Sequence, residues 1–412
     1  MLAAEAARTA ERMARESYGR LIAFLVARTL DVAGAEDALS EAFAAALRTW
    51  PVDGIPDNPD AWLLTAARRR QFDSQSRART RKTGEAHIQL IADELAAAAD
   101  ETTAIPDRRL ALMFACAHPA IERGMRAPLI LQTIVGLTAD DIAAAFLLPP
   151  KTMGQRLVRA KLRIREAGIP FRVPDAEELP ERLAAVLDAI YASYTKGWNE
   201  LDDDAIPEIG GEAIWLGRLI VSLLPSEPEA KGMLSLMFYT AARSAARRDA
   251  SGAYVPLERQ DTALWDRSLL ALAETLLREA NAAGPSGRYQ LEAAIQSAHV
   301  ARRLSGKPNW PVVVALYDHL LAFTGSPVVI LNRAVARAEV HGARAALADL
   351  QPLEADKRLH SYQPYWAAKG HLLALAGDTA PAIESLTIAL GLTMDDAVKG
   401  DLLRRLATLK GH

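Results

Sequence analysis

An all-α protein is predicted by three features of the sequence. Apolar residues recur at the helical period along most of the chain, the turn-rich alternating segments that mark sheets are almost absent, and Pro and Gly punctuate the helical runs. At 412 residues with 50% apolar composition, the chain exceeds one ordinary core and can fill two or three, so several domains are expected. The single cysteine, Cys116, excludes an internal disulfide and a multi-cysteine zinc site. Nothing at the N-terminus combines a basic stretch with an apolar run and a cleavage site, which points to a cytoplasmic protein. No apolar run approaches the roughly 18 to 20 residues that cross a bilayer, so no membrane role is expected.

Taken in order, Leu21, Ile22, Leu25 and Val26 mark the helical register between Ala3 and Leu30, and Asp31 to Gly34 breaks it. A second helix is predicted from near Ala35 to about Trp50. Pro51 to Pro59, with three prolines and a glycine, reads as a loop, and Asp60 is placed to cap a third helix through Arg70 and beyond. Residues 1–82 therefore form a first helical domain. Residues 83–107 are mostly Ala and acidic residues and read as an acidic linker. A second compact block covers 108–170. The prolines of Gly168-Ile-Pro-Phe-Arg-Val-Pro174 stop its last helix, so 171–180 is a short linker and 181–412 a separate helical extension.

Within the extension, Gly342 and Gly377 lie about 35 residues apart, each between two helical patterns, at the period of a tetratricopeptide repeat. The second copy is the fuller one. Gly370, Ala382 and Ala389 would let two helices approach closely, while Trp366, Leu373 and Leu386 fill the gaps. The number of repeats within 181–325 stays open.

The formal net charge of −3 conceals segregation that matters more than the average. Arg68, Arg69, Arg70, Arg77, Arg79, Arg81 and Lys82 crowd one segment. Acidic residues fill the next, and Lys151, Arg156, Arg159, Lys161, Arg163 and Arg165 crowd a third. One such run is ordinarily a solvated helix face; two around an acidic linker suggest nucleic acid.

Met125 to Gly168 follows the grammar of a helix-turn-helix, whose second helix enters the major groove. Leu129, Ile130 and Ile134 make a scaffold helix that turns at Gly136-Leu137, and Thr138 caps a short helix through Phe146. Leu147 to Pro150 connect it to a final helix from Lys151 to Ala167. There Met153, Leu157, Ala160 and Ile164 share an inward face. The opposite face displays Lys151, Thr152, Gln155, Arg156, Arg159 and Arg163. Gln and Arg near the helix start can pair bidentately with base edges, whereas Arg159 and Arg163 suit phosphates.

These two blocks resemble the conserved domains of extracytoplasmic-function sigma factors, the first their region two and the second their region four. Ala35-Glu-Asp-Ala-Leu-Ser-Glu-Ala-Phe43 is similar to the core-polymerase-binding helix of that family, with Asp37, Glu41 and Phe43 at matching positions and Ser40 where Gln is usual. Asn58-Pro-Asp-Ala-Trp62-Leu-Leu-Thr-Ala-Ala-Arg68 resembles the helix that opens DNA at the minus-ten element, preceded by a loop matching the base-capturing specificity loop. The resemblance implies that Asn58, Trp62, Arg68, Arg69 and Arg77 meet minus-ten DNA and that the helix-turn-helix set meets the minus-thirty-five element. A basic helix beside a base-sized pocket rewards unstacked strands through phosphate attraction and base capture. Against this, an aromatic in a Trp-Leu-Leu run such as Trp62 is more often core than stacking platform.

The acidic linker resembles the segment that threads the polymerase cleft in this family. Together with Tyr254-Val-Pro-Leu-Glu-Arg-Gln-Asp261 and Trp265, the architecture resembles the subgroup whose sigma domains carry a tetratricopeptide-type extension that controls activity. The implied partners are core RNA polymerase, promoter DNA and an effector or protein partner of the extension, and no cofactor or metal is implied.

Enzyme signatures fail in turn: no Walker loop, dinucleotide glycine pattern, His-Glu-x-x-His or Gly-x-Ser-x-Gly elbow occurs. Cys116 and His118 read as a buried thiol and a helix-end histidine. The rival readings are a free-standing helix-turn-helix transcriptional regulator with a helical sensing domain, and an enzyme around Arg243, Asp249, Glu258, Arg259 and Asp261. A free-standing regulator would have no use for Ala35 to Phe43.

Overall fold

A computed structural model describes residues 2–79, 108–146, 148–175, 177–199, 206–284 and 286–411. Helices carry the architecture, and the described residues form no strand beyond one isolated bridge between Arg248 and Tyr254. The acidic linker expected at 83–107 lies outside the described residues. No described helix is long and apolar enough to cross a membrane. The chain divides into two compact units, Met1–Trp215 and Leu216–His412.

The first unit begins with α1 (Leu2–Glu16) and α2 (Tyr18–Thr29), separate helices where a continuous helical pattern was read. Ala6, Ala10 and Met13 of α1 and Leu21, Ile22, Leu25 and Val26 of α2 are buried, one apolar stripe from each helix. Asp31 accepts a hydrogen bond from the Gly34 backbone N–H and starts α3 (Val32–Asp53) three residues before the expected Ala35. This helix also runs past Trp50 through Pro51, so the expected loop is shorter, 54–58. Its buried face is mostly alanine (Ala35, Ala38, Ala42, Ala46) between Leu39 and Trp50, and small side chains bring α1 and α4 (Pro59–Arg79) close.

The cap of α4 is Asn58, whose side-chain oxygen accepts from the Ala61 N–H at 3.1 Å, with Pro59 opening the helix. The expected cap, Asp60, instead pairs with Arg20 of α2. One carboxylate cannot serve both, and the guanidinium is the stronger partner.

Helix α5 (Arg109–Cys116) is buried along most of its length. Next come α6 (Arg123–Ile130), a π-helical turn Leu131–Val135, α7 (Ala139–Ala145) and α8 (Pro150–Glu166). Gly136 ends the π turn at φ +74°, a left-handed conformation that side chains rarely adopt. Thr138 and Asp141 form a reciprocal box: Asp141 N–H donates to Thr138 Oγ1 at 3.2 Å, and Thr138 N–H donates to the Asp141 carboxylate at 3.1 Å. Helix α9 (Leu179–Asn199), read from sequence as the start of the extension, packs against α6 in this unit. Arg126, buried on α6, donates to the Glu181 carboxylate at 3.0 Å.

Helix α10 (Ile206–Leu223) contains the division between the units. In the second unit α11 (Pro228–Ala241) packs against α12 (Arg267–Ala283) and α13 (Arg288–Ser305). Gly232 is required at that crossing, because an added Cβ would lie 2.7 Å from the Gln290 nitrogen. Glu229 of α11 accepts the N–H groups of Tyr289 and Gln290, a cap supplied across the packing interface. Hairpins follow from α14 (Trp310–Thr324), α15 (Pro327–His341), α16 (Ala343–Leu350), α17 (Gln363–Leu375), α18 (Thr379–Leu392) and α19 (Asp396–Lys410). The glycines read as repeat turns sit at the α15–α16 and α17–α18 connections, both at φ +83°. A Cβ on Gly370 would meet Leu386 at 2.8 Å, while Ala382 and Ala389 are fully buried.

Candidate nucleic-acid and polymerase interface

The α3 motif presents its acidic residues outward: Asp37 and Glu41, one turn apart, are exposed, and Phe43 is half-buried. Glu41 is also paired with Arg70 of α4 at 3.1 Å, which couples the two helices. On α4, Arg69 is exposed, whereas the Arg68 guanidinium lies 4.7 Å from the centre of the Phe24 ring. Arg77 is on the same helix. Trp62, half-buried, packs edge-on against the buried Trp50 with ring centres 5.5 Å apart. Trp62 is thus packed on the core through Trp50 while remaining partly exposed. Asn58 is exposed, with its side-chain oxygen used by the cap.

On α8 the inward stripe is as the period predicts, with Met153, Leu157, Ala160 and Ile164 buried. Lys151, Thr152, Gln155, Arg159 and Arg163 are exposed along the other side. Arg156 is held by an ion pair to Glu122, at the start of α6.

The structure also joins residues that sequence spacing did not single out. Lys161 on α8 forms an ion pair with Glu36 on α3, with side chains only 10% and 17% exposed. Beside it, Arg165 lies 3.4 Å from Asp31. Burial pushes the Glu36 carboxyl up from its ordinary range, and the Lys161 ammonium opposes that shift. The partners are 125 residues apart in sequence, and neither lies in a local motif that reveals the pairing. Their charges could have served equally well as solvated helix faces.

Cys116 is buried with its Sγ 3.6 Å from Thr133 Oγ1, and burial pushes the thiol up to about 12. His118 closes a turn, its Nδ1 accepting from the Ala120 N–H at 3.1 Å. The charged residues weighed as an enzyme site are each engaged in separate contacts. Arg243 donates to Gln296, Asp249 accepts from Ser251 and Ala253, and Asp261 accepts from Ala263. Glu258 pairs with Arg302, and Arg259 with the buried Asp401.

Residues 13–81, the segment that contains α2, α3 and α4, match the family model for sigma-70 region 2. The chain therefore carries a sigma-70 region 2 domain, which supports a role in transcription initiation with core RNA polymerase and promoter DNA as partners. Residues 182–281 match a family of unknown function (DUF6596). Over 385 residues the chain is 36% identical to "Uncharacterized protein R00370" of Rhizobium meliloti (strain 1021), covering 92% of this chain and 89% of that protein. The chain belongs to the same family as that protein. No solved structure matches it.

Proposed function

We propose that this protein is a sigma factor of the extracytoplasmic-function type that binds core RNA polymerase, recognises two promoter elements and promotes strand opening. The observation that carries the reading is the region 2 match together with an exposed acidic pair, Asp37 and Glu41, on α3 beside the basic helix α4. Asp37, Glu41 and Phe43 engage polymerase. Asn58, Trp62, Arg68, Arg69 and Arg77 engage the minus-ten element. The α7–α8 pair acts as the helix-turn-helix, with Lys151, Thr152, Gln155, Arg156, Arg159 and Arg163 at the minus-thirty-five element. The tetratricopeptide-like hairpins regulate this activity through an effector or protein partner, and the chain catalyses no reaction of its own.

Co-purification with core RNA polymerase followed by run-off transcription tests the reading. Reversing Asp37 and Glu41 to Lys together places like charge where polymerase is engaged and is expected to abolish holoenzyme formation. A double variant that competes normally for core polymerase and still supports transcription removes the assignment.

A further inference from the structure

Helices α12 and α13 of the second unit each lie along α11, and they meet it far more closely than they meet each other. Between them is a cleft of about 300 Å³, with the buried Tyr239 of α11 at its base. Its walls are two matching stripes. Arg267, Leu270, Ala271 and Glu274 line it from α12 at the i, i+3, i+4, i+7 spacing of one helix face. Ser297, Val300, Ala301 and Leu304 line it from α13 at the same spacing. Such a face is ordinarily apolar throughout and covered by a neighbouring helix. Here Ala271, Ala301 and Leu304 are exposed, and each end of the α12 stripe carries a charge.

Polar groups converge at one end of the cleft. The Tyr239 hydroxyl donates to Glu274 of α12, and the Ser297 hydroxyl of α13 donates to the same oxygen, Oε2, at 3.1 Å. One carboxylate thus joins three helices. Burial, with the bond to Glu274, pushes the Tyr239 hydroxyl well above its ordinary range, so it stays a donor near neutral pH. Glu274 is exposed, and its second oxygen, Oε1, accepts from neither hydroxyl. Arg278, one turn further on, donates to Thr275. Because Ser297 meets Glu274, the two stripes run antiparallel, which puts Leu304 at the far end beside Arg267. Arg267 is exposed in the first turn of α12, two turns and thus about 10 Å of helix rise from Glu274.

Size and charge select the class of occupant. A two-turn stretch of helix, about 10 Å across, has a volume on the order of 800 Å³, so a partner helix does not fit. The cleft instead falls at the lower end of small-molecule sites, which are mostly apolar with a few placed polar groups. A carboxylate suits the planar fork of Arg267. An ammonium suits Glu274 Oε1, and Leu270, Ala271, Val300 and Ala301 cover an aliphatic chain between the two.

We propose that the α12–α13 cleft binds a small linear zwitterion, an aliphatic amino acid whose carboxylate and ammonium lie about 10 Å apart, with Arg267 and Glu274 holding its two ends. Binding joins two helices that otherwise meet chiefly through α11, and it stabilises the folded form by mass action. Use of this ligand as the effector of the hairpins rests on the regulatory reading proposed above; the binding itself does not.

The test titrates the full chain with ω-aminooctanoate by calorimetry, with octanoate and octylamine as single-ended controls. The two-ended probe is expected to bind at least about tenfold more tightly than either control, because each end adds a charge-assisted bond. Arg267→Ala should remove its advantage over octylamine, and Glu274→Gln its advantage over octanoate. Gln keeps an acceptor for Tyr239 and Ser297, so the junction of the helices persists. Ala301→Leu fills the cleft without touching either charge, at an exposed helical position where Leu is well tolerated. It should abolish binding of all the probes while the melting temperature is kept. No heat of binding for ω-aminooctanoate at millimolar concentration, or binding indifferent to these substitutions, overturns the site. Equal affinity for octanoate or octylamine overturns the two-ended ligand. Run-off transcription with and without saturating ω-aminooctanoate is read separately: unchanged transcription with binding intact overturns the effector role and leaves the site standing.

Discussion

Arg156 and Arg163 sit two turns apart on α8 in different surroundings, and that difference fixes what each can do. Arg156 is near the start of the helix and paired with Glu122, an arrangement that holds its guanidinium in one orientation. Arg163 is exposed in the last turn, where its charge acts at longer range. Arg156→Ala is expected to cost about 1 to 3 kcal/mol at the upstream element and to relax base preference at one position. Arg163→Ala should weaken all sequences alike and flatten the salt dependence by about one unit of slope. Binding titrations over a panel of single-base promoter variants at several salt concentrations separate the two. Indistinguishable profiles would remove the proposed orientation of α8 in the groove. In the extension, by contrast, burial beside Arg302 and Arg243 holds His299 down at about 4, so it stays neutral near pH 7 and adds no charge to that surface.

At the scale of the element, α4 shows why a cap and a contact must be separated experimentally. Asn58 closes the first turn of α4 through the Ala61 N–H, at the edge of the segment assigned to base capture. Asn58→Ala is expected to destabilise the protein by about 1 kcal/mol through loss of the cap, whereas Asn58→Asp keeps an acceptor and restores the stability. If Asn58 also touches promoter DNA, Asp should retain the melting temperature yet lose promoter opening, measured by permanganate reactivity of unpaired thymines. Recovery of both by Asp would assign Asn58 to the cap alone. The same helix marks the limit of what sequence shows. The inward stripe of α8 was legible because a 3.6-residue period is a local property, and Thr138 was legible as a cap because its partner is three residues away. Asn58 and Asp60 are both good caps by type. The choice fell to Arg20, 40 residues distant, which took Asp60. The extension of α3 through Pro51 escaped the same reading, which takes proline as a stop. The Glu36–Lys161 pair was illegible altogether, because charge runs carry no information about which distant helix they meet.

On the scale of the whole molecule, the sequence boundary at 171–180 and the packing of α9 give different consequences for shortening the chain. A chain ending at Pro174 loses α9, including the buried Leu183, Val186, Leu187 and Ile190. It also strips the Glu181 carboxylate from Arg126, whose side chain is only 7% exposed, leaving a buried guanidinium short of its counter-charge. That truncation should therefore melt well below the full-length protein and support no transcription, whatever the regulatory role of the remainder. A chain ending at Leu223 keeps this packing together with the part of α10 that belongs to the first unit, and so isolates the question of regulation. If the hairpins from α11 onward are needed to assemble the productive form, this longer truncation should fold, as judged by a cooperative melt, and still bind core polymerase. It should nevertheless lose run-off transcription from a cognate promoter. Full activity would show instead that the hairpins are dispensable for initiation, and activity exceeding that of the full chain would show that they restrain it. Both alternatives would leave the packing of α9 against α6 as a requirement of the first unit itself, because that requirement follows from burial.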